Sequence, residues 1–327
     1  MPAPRCEKAS CPLHFRRRLP PPQVGSWELV VPASTAAAPT RTYHHATFTP
    51  GYFVVAGNDT TSSTAPPNGA PDVYLYNIAA NTWTAPFAYV TPTPLLAPFV
   101  FTQGGYLALI DETAPNVLYT VDSAMSPSNP APWASLTLGS APSNRVGQRF
   151  LSWGSTLFMF GGYDLKANIQ YNDLWSVDMS AAITGQSQAW FAASPPTAAG
   201  AAVVGYPPPR LGFSWTTYQV GSIVYGGLST DTPGASPIDC FRAPTTAGCH
   251  FHSHVWAFLP GLGDVKSTGG MPAGAWVMLN SAGANGGPTP AGRVEHVAGA
   301  MGDQMYVYGG LTATGPSSVR GAAWAPL

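Results

Sequence analysis

The sequence predicts an all-β fold built as a propeller, and three observations carry that reading. An arginine is followed sixteen residues later by a double glycine three times: Arg145 to Gly161-Gly162, Arg210 to Gly226-Gly227, Arg293 to Gly309-Gly310. The runs entering those glycines, Leu157-Phe158-Met159-Phe160, Ile223-Val224-Tyr225 and Met305-Tyr306-Val307-Tyr308, are rich in β-branched and aromatic residues. Finally, 35 glycines and 35 prolines in 327 residues supply too much turn and breaker chemistry for long helices, while 45% hydrophobic content suffices for a substantial core. Repeats of roughly 40–50 residues made of such strands are sheets too small to bury their own faces, which must stack on neighbours.

Taken in chain order, residues 1–24 read as a flexible basic tail, with Arg5, Lys8, Arg16, Arg17 and Arg18 against Glu7. Gly25-Ser26-Trp27-Glu28-Leu29-Val30-Val31 reads as a strand carrying Trp27, expected to pair with the last sheet and close the ring without free edges. The first blade, about 41–90, keeps Arg41, has Ala56-Gly57 for the glycine pair, and continues through Tyr74 to Trp83. The second, about 94–140, has Ile110-Asp111 and no matching arginine, and carries Tyr119 and Trp133. The third, about 145–195, carries Trp175 in Asn172-Asp173-Leu174-Trp175 and then Trp190. The fourth, about 210–280, carries Trp256 and Trp276. The fifth, about 293–327, ends at Trp324 without an outer strand, which residues 25–33 are expected to supply. Five four-stranded blades are therefore expected. Glycine pairs at strand ends permit positive φ and close backbone approach, as a sheet turning near an axis requires.

The arginine, the Gly-Gly after an apolar strand, the Asn-Asp-Leu-Trp strand and the later tryptophan together resemble kelch repeats. The match is close in the third unit, fair in the fourth and fifth, partial in the first and poor in the second, over roughly residues 25–327. Two departures stand out. Histidine follows the arginine only in Arg41-x-x-His44 and Arg293-x-x-His296. Kelch rings more commonly have six or seven blades, so five units are either a closed ring or part of a longer parent chain. The resemblance implies a propeller whose loops on one face bind another protein. Some kelch propellers carry a copper-radical or an iron site, but the residue sets those sites need are not located here.

Charged residues make up only 9% of the chain, against about 25% in ordinary soluble domains, and the net charge is −1. No electrostatic case for nucleic acid or an anionic membrane arises. Pro, Gly or polar residues interrupt every apolar run before the roughly 20 residues of a membrane span. Of the four cysteines, Cys6, Cys11, Cys240 and Cys249, the last two fall in one long loop, either bridged as a staple in an oxidising compartment or reduced. Asn58-Asp59-Thr60 is a glycosylation acceptor pattern at Asn58. Low charge, the loop cysteines and this pattern lean toward a secretory or extracellular setting, and the lack of an apolar leader pulls the other way.

Four groups are candidate site residues. His250, His252 and His254 alternate, so an extended strand would put them on one face where they could share zinc or copper; the alternative is a surface loop that happens to carry imidazoles. Arg41, Arg145, Arg210 and Arg293 recur with the repeat, so they either satisfy carbonyls and a carboxylate inside the blades or grip an acidic peptide at the central opening. His44, His45 and His296 follow the same logic. Trp153 and Trp215 fall outside the two periodic aromatic rows and are candidates for a stacking surface. No serine-nucleophile elbow, phosphate loop or zinc-protease motif occurs. The expected function is a non-catalytic scaffold for another protein, without a cofactor, using long loops such as 58–71 and 229–253. The alternatives are an extracellular carbohydrate-binding or metal-dependent oxidative propeller, and a structural subunit of a large assembly.

Overall fold

The computed structural model describes residues 42–58, 72–83, 98–122, 133–193, 205–219, 221–231, 235–261, 274–279, 290–301, 304–316 and 322–324. Four four-stranded sheets follow one another along the chain. The first is Thr42–Thr49, Tyr52–Asn58, Asp72–Asn77 and Thr82–Trp83; the second is Pro98–Gln103, Tyr106–Asp111, Ala114–Asp122 and Ala134–Thr137. The third is Arg149–Trp153, Thr156–Phe160, Leu174–Asp178 and Phe191–Ala192; the fourth is Ser214–Tyr218, Gly221–Tyr225, Val255–Pro260 and Gly274–Leu279. The last repeat contributes a three-stranded sheet of Val297–Met301, Gln304–Tyr308 and Ala322–Trp324. The expected closing strand around Trp27, and Arg41, lie outside the described residues. Within each of these sheets every pairing is antiparallel, and the first strands of successive sheets run side by side, so the sheets radiate from an axis as a β-propeller.

The second strand of a blade is sandwiched between neighbouring sheets, which is why it reads as a continuous apolar run rather than an alternation. In Thr156–Phe160 all five residues are buried. Leu157 and Met159 join Phe101, Ile110, Leu118 and Trp190 on the side of the second sheet. Phe158 and Phe160 join Phe213, Val224, Phe258 and Trp276 on the side of the fourth. The Phe158 and Phe258 rings meet edge to face at 5.2 Å, the geometry aromatic quadrupoles favour. In the last sheet the alternation returns: Met305 and Val307 are buried against Ile223 and Tyr225, whereas Tyr306 and Tyr308 are exposed.

The sixteen-residue spacing has a physical cause. In each of three blades the arginine donates through Nη1 to the carbonyl of the first glycine: Arg145 to Gly161 at 3.1 Å, Arg210 to Gly226 at 2.9 Å, Arg293 to Gly309 at 2.9 Å. Each also donates through Nε to the carbonyl two residues before itself, on Ser143, Pro208 and Ala291. The residue after the arginine pairs with the one after the glycines, as Val146 with Tyr163, Leu211 with Leu228, and Val294 with Leu311. The same segments join successive blades. Gly162 N donates to Arg210 O at 2.9 Å, and Gly227 N to Arg293 O at 2.8 Å. In the second sheet, which lacks both arginine and glycines, Asp111 makes the turn by accepting from the Thr113 amide and hydroxyl, both at 2.7 Å.

Gly226 is held at φ +73°, and a Cβ there would stand 2.6 Å from Arg293 O and 2.5 Å from His296 Cε1. Gly51, in a hairpin turn at φ +85°, has nothing within 4 Å. G51A is therefore expected to cost only the left-handed backbone penalty, about 1–2 kcal/mol. G226A adds overpacking and should cost about 3 kcal/mol or more. Denaturant titration of the two variants checks the difference; equal losses would mean that the blade-to-blade contact at Gly226 contributes nothing.

Candidate functional site

The arginine end of the propeller carries the polar chemistry. Beyond the glycine pairs the chain leaves the blades as hairpins: Tyr163–Asp164 with Ile169–Gln170, Leu228–Thr230 with Cys249–Phe251, and Leu311–Thr312 with Gly315–Pro316. The middle one is long and cross-braced. Cys240 and Cys249 form a disulfide with Cα atoms 5.8 Å apart, so the bridged alternative holds. Cys240 is buried with Leu228 and Val294, with Phe241 and Phe251 packed against them. Gln170 of the neighbouring hairpin donates through Nε2 to Thr230 O at 2.9 Å and accepts from Thr230 N at 3.0 Å.

At the centre of this end, charged and polar groups from four sheets join in one chain. His45 Nε2 lies 2.8 Å from Glu112 Oε1; Arg149 Nη1 lies 3.7 Å from Glu112 Oε2; Arg149 Nη2 lies 3.5 Å from Glu295 Oε2. Exposure varies along it, with side chains 28% exposed at His45, 7% at Glu112, 18% at Arg149 and 50% at Glu295, so a buried middle opens to solvent at both ends. Buried Gln148 also reaches in, donating to the Glu112 carbonyl. Glu295 is held in the left-handed region at φ +54°, where the equivalent residues of the two preceding blades are Gly147 and Gly212. The three are linked in series: Gly212 N donates to Gly147 O, and Glu295 N to Gly212 O, each at 2.8 Å.

Of the sequence-predicted residues, the arginines sit inside the blades. Arg145 is buried, with Nη1 2.6 Å and Nη2 3.2 Å from the Asp173 carboxylate, and its guanidinium lies 3.7 Å from the centre of the Tyr171 ring. Arg210 and Arg293 are equally buried. Burial brings the Arg210 guanidinium down to about 9. These three therefore hold backbone carbonyls inside the blades rather than lining an opening, and Arg145 holds the Asp173 carboxylate as well. Arg41 lies outside the described residues, as does the Asn58 side chain.

The three histidines do not converge. The expected strand stops at Phe251, because its partner Leu228–Thr230 belongs to the separate hairpin, and His252 to His254 lead around to the blade strand that starts at Val255. His250 Nε2 pairs with Asp231 Oδ2 at 3.0 Å, and His252 Nε2 bonds Ser229 Oγ at 2.9 Å. Burial first, then the Arg210 guanidinium, holds His252 well below the usual imidazole range. Among the described residues no three His, Cys, Asp or Glu side chains gather to hold a metal, which corrects the shared-ion expectation.

Trp153 and Trp215 both pack against the cluster between the third and fourth sheets. Trp215 Nε1 donates to Ser222 Oγ at 2.8 Å, and its ring meets Phe160, Phe258 and Trp276, so it is committed to packing rather than offered for stacking. His296 is buried, with Nε2 2.9 Å from Ser214 Oγ and its ring edge-on to Tyr225. Burial, with help from Arg149 and Arg293, lowers it to about 3. Sequence reading missed Glu112, Arg149 and Glu295. The available signal was scarcity: in a chain with 9% charged residues, Arg149 and Glu295 lie within four residues of a repeat arginine.

No family model matches the chain, and no curated protein matches it. Among solved structures it is similar to one titled "Structure of YjhT", with a TM-score of 0.53 and 14% identity over 87% of this chain and 80% of that one. At that identity the likeness speaks to the fold alone.

Two outcomes follow from these buried groups. Removing the carboxylate in D173A strands the Arg145 guanidinium and should cost about 3–5 kcal/mol in denaturant titration; a loss below about 1 kcal/mol would mean water takes over the carboxylate's role. His296 is neutral when folded and titrates at about 6.5 when unfolded, so the unfolded chain binds the extra proton. Its contribution to stability is complete above pH 6.5 and is lost as pH falls from there toward 3. The slope is up to about 1.4 kcal/mol per pH unit for each such imidazole. H296Q should flatten that slope in unfolding measured across the range, and an unchanged slope would assign the loss to other groups.

Proposed function

We propose that the protein is a kelch-type propeller of five blades, closed by residues 25–33 on the last sheet, that acts as a non-catalytic platform for another protein. The partner sits across the hairpin-bearing end, over the central opening. The observation that carries this reading is the chain His45, Glu112, Arg149, Glu295: in a molecule with so few charges, four sheets each bring a polar group to one spot that reaches solvent at Glu295. A structural role alone would favour complete burial with matched partners, as at Arg145 and Asp173, whereas Glu295 is left half in solvent. The neighbouring hairpin strands, Leu228–Thr230 and Cys249–Phe251, are braced by the disulfide and by Gln170, so they offer a partner a fixed wall and lower the entropy lost on binding.

The test compares the full chain with an R149A/E295A double variant, both immobilised and exposed to native extract, with retained proteins identified by mass spectrometry. The wild type is expected to hold a partner that the variant loses about tenfold or more, as truncation at a charged contact site does. Near-UV circular dichroism should be the same for both. Equal retention by the two, or no specific retention by the wild type, overturns the proposal.

A further inference from the structure

Among the described residues, the fully buried cation Arg210 has no counter-charge. Arg145 and Arg210 occupy the same place in successive blades, each bonding the carbonyl two residues back and the first glycine of its own pair. They differ in what completes the guanidinium. Arg145 is closed by the Asp173 carboxylate on both terminal nitrogens. Arg210, with no exposed surface, has Nη2 without a hydrogen-bond partner, and among the described residues no carboxylate pairs with it.

The register shows which residue stands where Asp173 would be. Tyr171 N donates to Gly162 O at 2.9 Å, and His252 N donates to Gly227 O at 2.9 Å, so Tyr171 and His252 are equivalent. Leu174 pairs with Phe160 and Val255 with Tyr225, each partner being the residue before the first glycine. Asp173 is therefore replaced by His254, which is exposed. His252 cannot make up the charge, since its imidazole is bonded to Ser229 Oγ and to the backbone of Pro209 and carries no negative charge. A buried guanidinium with an unused donor and no anion is a costly arrangement unless a ligand completes it.

We propose that the fourth blade binds a small organic carboxylate at Arg210, in the place that the Asp173 side chain fills in the third blade. One carboxylate oxygen accepts from Nη2 and the other shares Nη1 with the Gly226 carbonyl; because the guanidinium has no exposed surface, the residues closed over it have to part to admit the anion. A planar carboxylate suits the site better than a tetrahedral anion, because the guanidinium fork matches it edge to edge and the same fork already holds a carboxylate one blade earlier. This site is separate from the central chain of Glu112, Arg149 and Glu295.

Thermal unfolding of the full chain in sodium acetate, sodium chloride and sodium sulfate at matched ionic strength tests it. For the wild type the midpoint should rise with acetate, following the logarithmic dependence of a ligand that binds only the folded state. Chloride should not reproduce that rise, and sulfate, which stabilises by exclusion from the protein surface, should raise the wild type and H254D alike. H254D supplies the carboxylate covalently, so it should unfold at a higher temperature than the wild type in chloride and lose its response to acetate. H254A should keep the response. A wild-type midpoint that acetate moves no more than chloride does overturns the proposal, as does an H254D variant that responds to acetate as fully as the wild type. Should H254D fail to fold, broadening of the acetate methyl resonance by the wild type and H254A decides: saturable broadening by both is expected, and its absence overturns the site.

Discussion

A guanidinium buried at the inner end of three blades, at Arg145, Arg210 and Arg293, is the constraint on which the rest depends. Its two fixed donor directions hold the carbonyl two residues before it and the carbonyl of a glycine sixteen residues after it, so the entry to the first strand and the exit of the second are pinned together. Its own backbone carbonyl accepts from the second glycine of the preceding blade. One residue thus fixes the shape of a sheet and its seat against the next. The glycines are consequences: only a residue without Cβ can stand at Gly226, where the next blade's backbone passes within contact distance. Chain leaving this clamp is forced outward, and so the hairpins gather at one end of the molecule.

That constraint was legible because it is local. An arginine and a glycine pair sixteen residues apart leave a periodic mark, and the strands between them, buried on both faces, show as apolar runs such as Leu157 to Phe160. The central chain left no such mark. Glu112, Arg149 and Glu295 come from three sheets and meet only through curvature around the axis, so no spacing in the sequence relates them. The histidines show the opposite failure. Alternation puts residues on one face only while a strand continues, and at Phe251 the ladder ends because Leu228–Thr230 pairs with residues outside the blade. The backbone then turns, and His250 and His252 find different partners. Trp215 is likewise a matter of neighbours: lying outside the periodic aromatic rows did not free it, since the facing sheets close over it with Phe160, Phe258 and Trp276.

Where a repeat is kept by packing, its departures are informative. Two positions break the pattern at the arginine end. At His254 the fourth blade gives up the carboxylate that neutralises the arginine of the third, leaving Arg210 with an unused donor. At Glu295 the last blade puts a large acidic residue into a backbone conformation that Gly147 and Gly212 adopt freely. Holding an L residue there costs about 1–2 kcal/mol. Packing does not require that cost, because glycine would make the same backbone bond to Gly212 O. What only glutamate adds is a half-exposed carboxylate that reaches Arg149 across the axis. The strained backbone at Glu295 thus holds its carboxylate at the Arg149 guanidinium, at the mouth of the propeller beside the hairpins.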